Sequence, residues 1–235
     1  MEWPDSLPLA TELFPTLYSN PEPKGVCPTL PESEAVFTFL QPENPKGLKV
    51  QLLSELERFR SSPQNPTDSG ATIDETLGKV IVEASAHVEV GAHLIGPCYV
   101  GPGAEIRHGA YVRPFSWICA DAVVGHASET KHTVLLPGAK APHFNYVGDS
   151  ILGTGVNLGA GTKISNLRND GGEVQLRIDG ARIGSGLRKF GAILGEGCQL
   201  GCNSVTNPGV ILGCNSVVWP NMTVTGVHGS DSKHR

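Results

Sequence analysis

The stretch that decides the fold runs from Val82 to Ser128 and reads VEASAHVEVGAHLIGPCYVGPGAEIRHGAYVRPFSWICADAVVGHAS. An aliphatic residue recurs at every sixth position, namely Val82, Val88, Leu94, Val100, Ile106, Val112, Ile118 and Val124. The fourth residue after each of these is small: Ala86, Ala92, Cys98, Ala104, Ala110, Ser116, Ala122 and Ser128. Two columns in the same phase establish a hexad repeat.

This repeat indicates a β-solenoid and excludes a helix. Six steps of about 100° turn a helical side chain by about 240°, so a period of six cannot hold one helical face. Short strands separated by corners can place every sixth residue inward, with the small residue near each corner. We therefore predict triangular coils of three hexads each. The phase resumes at Leu152, Leu158 and Ile164, and again at Leu194, Leu200, Leu212, Val218 and Val224.

The N-terminal part of the chain differs from the hexad region in amino-acid composition. Residues 1–70 hold eleven of the 18 prolines, which disfavours helices and inner strands. Within them, apolar residues at helical spacing predict one amphipathic helix near residues 48–60 that packs on the next domain: Leu52, Leu53, Leu56 and Phe59. Because stacked coils need capped ends, we interpret residues 1–70 as a Pro-rich N-terminal cap, residues 71–229 as the β-helix and residues 230–235 as a tail.

Composition limits the classes of partner. The net charge of -5 and the pI near 5.9 leave no cationic surplus for a phosphate backbone, so we expect no nucleic acid partner. The start MEWPDSLPLA is not a signal peptide, and no segment reaches the roughly 18 apolar residues of a membrane span. We therefore expect a cytoplasmic protein without a membrane partner. The six cysteines form no CxxC pair and are expected to be reduced.

Residues 124–166 carry the most specific motifs, SETKH, KAPHFNYVGDS and VNLGAGT. They resemble the acetyltransferase domain of the bifunctional N-acetylglucosamine-1-phosphate uridyltransferases, within the hexapeptide-repeat acyltransferase superfamily, and the resemblance extends more loosely over residues 75–228. It implies an all-β fold, a left-handed parallel β-helix, and a homotrimer with sites between subunits. The nucleotidyltransferase half of that family has no counterpart here. Pyrophosphorylase activity is therefore not expected, and a separate nucleotidyltransferase is a candidate partner.

The same resemblance implies a reaction and a set of residues. The reaction is acetyl transfer from acetyl-CoA to the amine of an amino-sugar phosphate or a nucleotide amino sugar. His143, in KAPHFNYVGD, would be the general base, and imidazole suits this role because it titrates near neutral pH. A histidine that is only satisfied at a subunit interface is the alternative. The implied acceptor-binding residues are Arg113, Lys131, Tyr146 and Asn157, and the cofactor-binding residues are Asn166, Cys202 and Trp219.

Departures from the family pattern keep other hypotheses open. Leu167 stands where the family has a tyrosine, and Trp219 falls where it has small residues, so the indole would either stack on the cofactor or obstruct it. Obstruction would leave a non-catalytic trimer that binds nucleotide sugars or serves as a scaffold. Between Asn166 and Leu194 the chain exceeds the family pattern by about 17 residues, either as an added coil or as a lid. Its cations would hold phosphates or be solvated on an exposed hairpin: Arg168, Arg177, Arg182, Arg188 and Lys189.

Three histidines suggest a further alternative. His126 follows His108 by three hexads, which places it one coil above on the same face, and His132 follows one hexad later. The set is similar to the zinc site of the γ-class carbonic anhydrases, and imidazole is a good zinc ligand. That family has its last two histidines one position closer together than a hexad, so we predict no metal site and read these as surface histidines.

Overall fold

The N-terminal segment is folded against the rest of the chain in this computed structural model, which describes residues 7–19, 24–59 and 69–235. Its helices are α1 (Ala10–Leu13), α2 (Pro15–Ser19), a 3₁₀ helix (Val36–Leu40) and α3 (Leu48–Arg58). In α3, the helix expected near residues 48–60, Leu52 and Leu56 are buried because they lie four positions apart on one face. Leu53 is 45% exposed, so the prediction that it packs inward is wrong.

The rest of the chain forms a parallel β-helix with three faces, which confirms the predicted β-solenoid. The first face consists of β1 (Thr72–Asp74), β4 (His93–Ile95), β7 (Tyr111–Val112), β10 (Glu129–Leu135), β12 (Tyr146–Leu152), β14 (Lys163–Ile164), β19 (Val205–Thr206) and β22 (Thr223–Val224). The second consists of β2 (Val80–Val82), β5 (Cys98–Val100), β8 (Ser116–Ile118), the C-terminal halves of β10 and β12, β17 (Ala192–Leu194), β20 (Val210–Leu212) and β23 (Val227–His228). The third consists of β3 (His87–Val88), β6 (Glu105–Ile106), β9 (Val123–His126), β11 (Lys140–His143), β13 (Asn157–Leu158), β18 (Gln199–Leu200), β21 (Val217–Val218) and β24 (Lys233–His234).

The aliphatic column of the hexads lines the inside of these coils, where its members are buried together with the small residues of each repeat. Strand β24 pairs with β21, so the β-helix extends into the stretch that we expected to be a tail. The described residues include no helix long and apolar enough to cross a membrane.

The coils differ in length from the regular ones in the part of the chain that carries the candidate motifs. Val80 pairs with Cys98, so a regular coil consists of three complete hexads. Val123 then pairs with Lys140, and Lys140 with Asn157, so each of these two coils is one residue shorter than a regular coil. Asn157 next pairs with Gln199, a step along the chain that is more than twice as long as a regular coil.

The extra residues in that step do not form a coil. They leave the β-helix after β14 and fold as an antiparallel hairpin of β15 (Gln175–Ile178) and β16 (Ala181–Gly184) before returning at β17. We call residues 167–190 the insertion. Leu176, Ile178 and Phe190 of the insertion are buried, so one side of the hairpin packs on the body of the protein.

The N-terminal segment covers the outer side of the second face. Outward side chains from successive coils form one buried cluster with it: Ile81, Tyr99, Trp117, Val134, Ile151, Ile193 and Ile211. The Trp117 Nε1–H donates to the Val26 carbonyl at 3.1 Å, and the Thr16 hydroxyl donates to the Glu196 carboxylate at 2.6 Å. The described part of the segment expected to be a cap therefore lies along the side of the β-helix.

The corner between the first and second faces has an unusual backbone. Phe115, His132 and Asp149 stack there in successive coils with φ values of 63°, 46° and 49°. Left-handed conformations are uncommon for residues other than glycine and cluster at functional sites. In the next coil the insertion leaves the β-helix at this same corner, and the Gly191 N–H donates to the Asp149 carbonyl at 2.8 Å.

Candidate active site

Cations and polar side chains align on the outer side of the first face. The strand register places Tyr111, Glu129 and Tyr146 in one column, one per coil. Arg113 and Lys131 occupy the neighbouring column, one coil apart, because outward positions recur once per coil. The Arg113 guanidinium donates to Glu129 at 2.7 Å, which fixes its direction.

A hydrogen-bonded network continues from these columns to the corner. The Asn166 amide donates both to the Tyr146 hydroxyl, at 3.1 Å, and to the Asp149 carboxylate. The second Asp149 oxygen accepts from His132 Nδ1 at 3.0 Å, and Lys131 Nζ lies 3.6 Å from the carboxylate. The network leaves no room beside it at position 148, where a Cβ would lie 2.6 Å from the Tyr146 hydroxyl.

Burial and charge oppose each other in this network. Burial lowers the pKa of Lys131, and the charges of Lys189 and Arg113 lower it further, against the attraction of Asp149. Burial acts to raise the pKa of Asp149, but the hydrogen bond from His132 and the charge of Lys131 hold that pKa below its usual value. The site therefore contains an ionised carboxylate and a lysine whose charge is only partly compensated.

His143 lies on the third face, at the corner that leads to the first face. Its backbone N–H donates to the Asn145 side chain at 3.0 Å, and the buried Asn145 amide donates to the Gly159 carbonyl at 2.9 Å. The imidazole is exposed and makes no hydrogen bond to any described residue. Within one chain, its contacts therefore do not join it to the network of the first face. Asn157 lies on the same face as His143, one coil further on, where it pairs with Lys140.

Cys202 and Trp219, which are predicted to contact the cofactor together with Asn166, lie on later coils at the same corner of the β-helix as His143. The Gly161 N–H donates to the His143 carbonyl, and the Asn203 N–H donates to the Ala160 carbonyl in the next coil. Cys202 therefore lies two coils from His143, about 10 Å at the usual spacing of strands. Cys202 is exposed, and Trp219 follows one coil later with its indole 48% exposed and the Arg235 guanidinium 4.8 Å from its ring centroid.

The three histidines of the carbonic anhydrase alternative do not meet in one chain. The rings of His108 and His126 stack with centroids 5.7 Å apart, and each Nδ1 lies within hydrogen-bond distance of a backbone carbonyl. His132 lies at a different corner, between the first and second faces, where Asp149 accepts its hydrogen bond. It is buried there, so the expectation of a surface histidine is wrong for His132. Among the residues that the structure describes, no group of three or more His, Cys, Asp or Glu side chains is arranged to hold a metal ion.

Sequence reasoning did not place His132 and Asp149 in the candidate site. They line a cleft of about 460 Å³ beside Lys131, to which the insertion and the N-terminal segment also contribute lining residues. The signal available in the sequence is the interruption of the hexads between Val124 and Leu152. That interruption marks the two shortened coils, but it does not tell which side chains the corners bring together.

Comparison with known proteins finds one matching family model and several similar curated proteins. A profile of the GMPPB C-terminal domain matches residues 94–228. The bifunctional sugar-1-phosphate nucleotidylyltransferase/acetyltransferase of Sulfurisphaera tokodaii is 42% identical over 147 residues, 63% of this chain and 37% of that protein. The bifunctional protein GlmU of Methanocaldococcus jannaschii is 36% identical over 191 residues, 76% of this chain and 46% of that protein.

The solved structure of the BC4754 gene product of Bacillus cereus aligns with 70% of this chain and 78% of that chain, at 14% identity and with a TM-score of 0.42. The chain spans less than half the length of the two curated relatives. The similarity of those two relatives confirms the resemblance that the motifs between Val124 and Asn166 predicted.

Proposed function

The chain belongs to the GMPPB C-terminal domain family, and on this premise we propose that it is an acetyl-CoA-dependent N-acetyltransferase. Its proposed acceptor is an amino-sugar phosphate or a nucleotide amino sugar. The observation that carries the proposal is the row of cations and hydrogen-bonding groups on the first face, next to the corner that exposes His143. The relative from Sulfurisphaera tokodaii, whose name includes acetyltransferase, supports the same reaction class.

Arg113 and Lys131 anchor the phosphate of the acceptor in this proposal. The hydrogen bond to Glu129 orients the Arg113 guanidinium, whose remaining N–H groups can donate to a phosphate. Burial disfavours the charge of Lys131, and a bound anion would stabilise that charge. Tyr146 and Asn157 orient the sugar through hydrogen bonds, and Asn166 holds the Tyr146 hydroxyl in place while lying beside the acetyl group.

His143 is the proposed general base. The attack of the acceptor amine on the thioester carbonyl forms the C–N bond and breaks the C–S bond. His143 accepts the proton that the amine loses and returns it to the departing thiolate, so no covalent enzyme intermediate is needed. Backbone N–H groups at the corner stabilise the oxyanion of the transition state.

We propose that the complete site forms between copies of the chain in a homotrimer. The exposed imidazole has no partner among the described residues of its own chain, so it is free to face the cations of a neighbouring subunit. The donor, acetyl-CoA, supplies the acetyl group as a thioester and lies along the corner of Cys202 and Trp219. A nucleotidyltransferase, as in the bifunctional relatives, is the proposed functional partner.

The test is an assay of CoA release against a panel of amino-sugar phosphates that includes glucosamine 1-phosphate. We expect His143→Ala to lower kcat by about 10²- to 10⁴-fold because the amine proton then has no acceptor. His87→Ala, an exposed histidine on an earlier coil of the same face, is the matched control and should keep full turnover. Unchanged kcat in His143→Ala, with an unchanged oligomer by light scattering, would exclude His143 as the base.

A non-catalytic, nucleotide-sugar-binding trimer is the second candidate, and Trp219 is the observation that favours it. Its exposed indole, covered on one side by Arg235, lies on the proposed cofactor path. Titration with acetyl-CoA distinguishes the two. An enzyme binds it and Trp219→Ala changes the affinity, whereas the scaffold binds a UDP-sugar and shows no CoA binding until the indole is removed.

A further inference from the structure

Two cysteines meet where the N-terminal segment crosses the outer side of the second face. Cys119 directly follows β8 and has no exposed surface, and Cys27 of the segment packs against the same buried cluster. Their side chains share a hydrogen bond. Cys27 is only partly buried, so it lies at the edge of the covered surface while Cys119 lies beneath it. We call these two residues the thiol pair, and one of its members is open to solvent.

Contacts around the thiol pair hold the two parts of the chain in this position. Lys24 Nζ lies 2.6 Å from the Asp121 carboxylate. The Val26 N–H donates to the Tyr99 hydroxyl at 3.3 Å, and the Val26 carbonyl accepts from the Trp117 indole at 3.1 Å. These contacts come just before the cysteine of the segment, and they lie both before and after the cysteine of the β-helix. The fold therefore sets the approach of the two sulfur atoms.

The two thiols differ in acidity. The hydrogen bond with Cys119 lowers the pKa of Cys27, against the opposite effect of partial burial. Burial raises the pKa of Cys119, and the hydrogen bond with Cys27 raises it further. Burial likewise raises the pKa of Cys98 and Cys198 to about 12. The thiolate is the reactive form of cysteine, and reactive cysteines are partly exposed. Cys27 is therefore the member of the pair that meets an oxidant from solution first.

We propose that Cys27 is a site of oxidation by hydroperoxides, and that Cys119 converts the oxidised sulfur into a disulfide that fastens the N-terminal segment to the β-helix. The Cys27 sulfur attacks one peroxide oxygen, the O–O bond breaks, and a sulfenic acid and one water are formed. The Cys119 sulfur then attacks the Cys27 sulfur, the S–O bond breaks, and the Cys119 proton leaves with the hydroxyl as a second water. The two thiols lose two electrons, and hydrogen peroxide is reduced to two waters.

The disulfide would change how the N-terminal segment is held. All six cysteines are free in this structure, so the segment is attached to the β-helix by noncovalent contacts. The same segment contributes Leu40 and Lys49 to the cleft beside Lys131. A cross-link between residues far apart in the chain stabilises the folded state mainly by restricting the unfolded chain. The oxidised form should therefore resist heat better than the reduced form. Acetyl transfer plays no part in this chemistry, so the site does not rest on the proposed function.

The experiment is mass mapping of the full chain after incubation with a small excess of hydrogen peroxide at pH 7.5. Free thiols are alkylated in denaturant, and the chain is digested without a reductant. We expect a cross-linked peptide pair that contains Cys27 and Cys119 and that dithiothreitol separates. Cys202→Ser, at an exposed cysteine on another corner of the β-helix, is the control and should form the same pair. Cys119→Ala should stop at the sulfenic acid, which dimedone labels at Cys27.

Thermal unfolding supplies a second measurement. The oxidised wild type should melt about 5–15 °C above the reduced wild type, whereas both preparations of Cys27→Ser should melt together. The proposal is overturned if the peroxide leaves both thiols open to alkylation, or if Cys27 becomes a sulfinic acid while Cys119 stays a thiol. A bond from Cys27 to a second chain would also overturn it. A disulfide that forms without a rise in melting temperature would contradict the fastening of the segment.

Discussion

At the scale of single residues, the charge of Lys131 favours the binding of an anionic ligand but lowers the stability of the folded chain. Burial penalises its charge, and Asp149 compensates only part of that penalty. A group whose pKa is lowered in the folded state destabilises that state as long as it is protonated, so the cost is fully present below the folded pKa. The cost disappears as the pH rises through the interval from the lowered pKa to the ordinary value of a lysine.

The variant Lys131→Met tests whether the buried charge of Lys131 destabilises the folded chain. At pH 7 we expect the free energy of unfolding to rise by a few tenths to about 1 kcal/mol, because the desolvated charge is removed while the aliphatic contacts are kept. The gain over the wild type should shrink as the pH approaches that of free lysine, and sugar-phosphate binding should weaken at the same time. Urea denaturation across this pH range measures it, with Lys46→Met as the exposed control. A variant less stable than the wild type at pH 7 would contradict the account.

At the scale of elements, the insertion is held by aromatic packing against the N-terminal segment. The rings of Phe37, in the 3₁₀ helix, and Phe190, at the end of the insertion, stack with centroids 5.6 Å apart and planes inclined by 27°. Both side chains are fully buried. This contact joins two segments that are distant in sequence, and it fixes the part of the insertion that carries Lys189 into the cleft.

A double-mutant cycle on this pair measures the connection. Phe37→Ala and Phe190→Ala should each cost about 3–5 kcal/mol of unfolding free energy, because each leaves a cavity. The double variant should cost less than their sum by about 0.5–1.5 kcal/mol, the contribution of the stacked rings. Phe37→Ala combined with Val224→Ala, in the separate inner core, should be additive. Additivity for the aromatic pair would show that the segments are held independently.

At the scale of the whole molecule, the described part of the N-terminal segment covers the outer side of the second face. The outward column of the second face, which includes Tyr99 and Trp117, is buried under the N-terminal segment. The corner of His143 is exposed, whereas Arg113 and Lys131 lie at the edge of that cover, in the cleft that the N-terminal segment also lines. A further copy of the chain would therefore meet the β-helix at the surfaces that carry the candidate site.

Removal of residues 1–59 tests the covering role. We expect the shortened chain to bind a hydrophobic dye and to self-associate, because it exposes a continuous apolar column larger than soluble surfaces tolerate. Light scattering and dye fluorescence measure this, and the emission of the otherwise buried Trp117 should shift to longer wavelength. Polar replacements at Ile81, Ile151 and Ile211 in the shortened chain should restore the dispersed state. A dispersed, dye-free chain without them would contradict the interpretation.

Local spacing along the chain was enough to predict the β-helix. A period of six decides which side chains point inward, and three hexads return the chain to the same face. The match to the acetyltransferase relatives likewise needed only motifs along the chain.

Spacing along the chain did not reveal that His132 meets Asp149, that the insertion is a hairpin or that the N-terminal segment lies along the second face. The pairing depends on shortened coils with left-handed corners, which shift side chains away from the regular hexad positions. The placement of the two added segments depends on apolar contacts between residues far apart in the chain, such as Phe37 and Phe190. Local periodicity carries no information about such contacts, because many segments of the same composition could cover the same face.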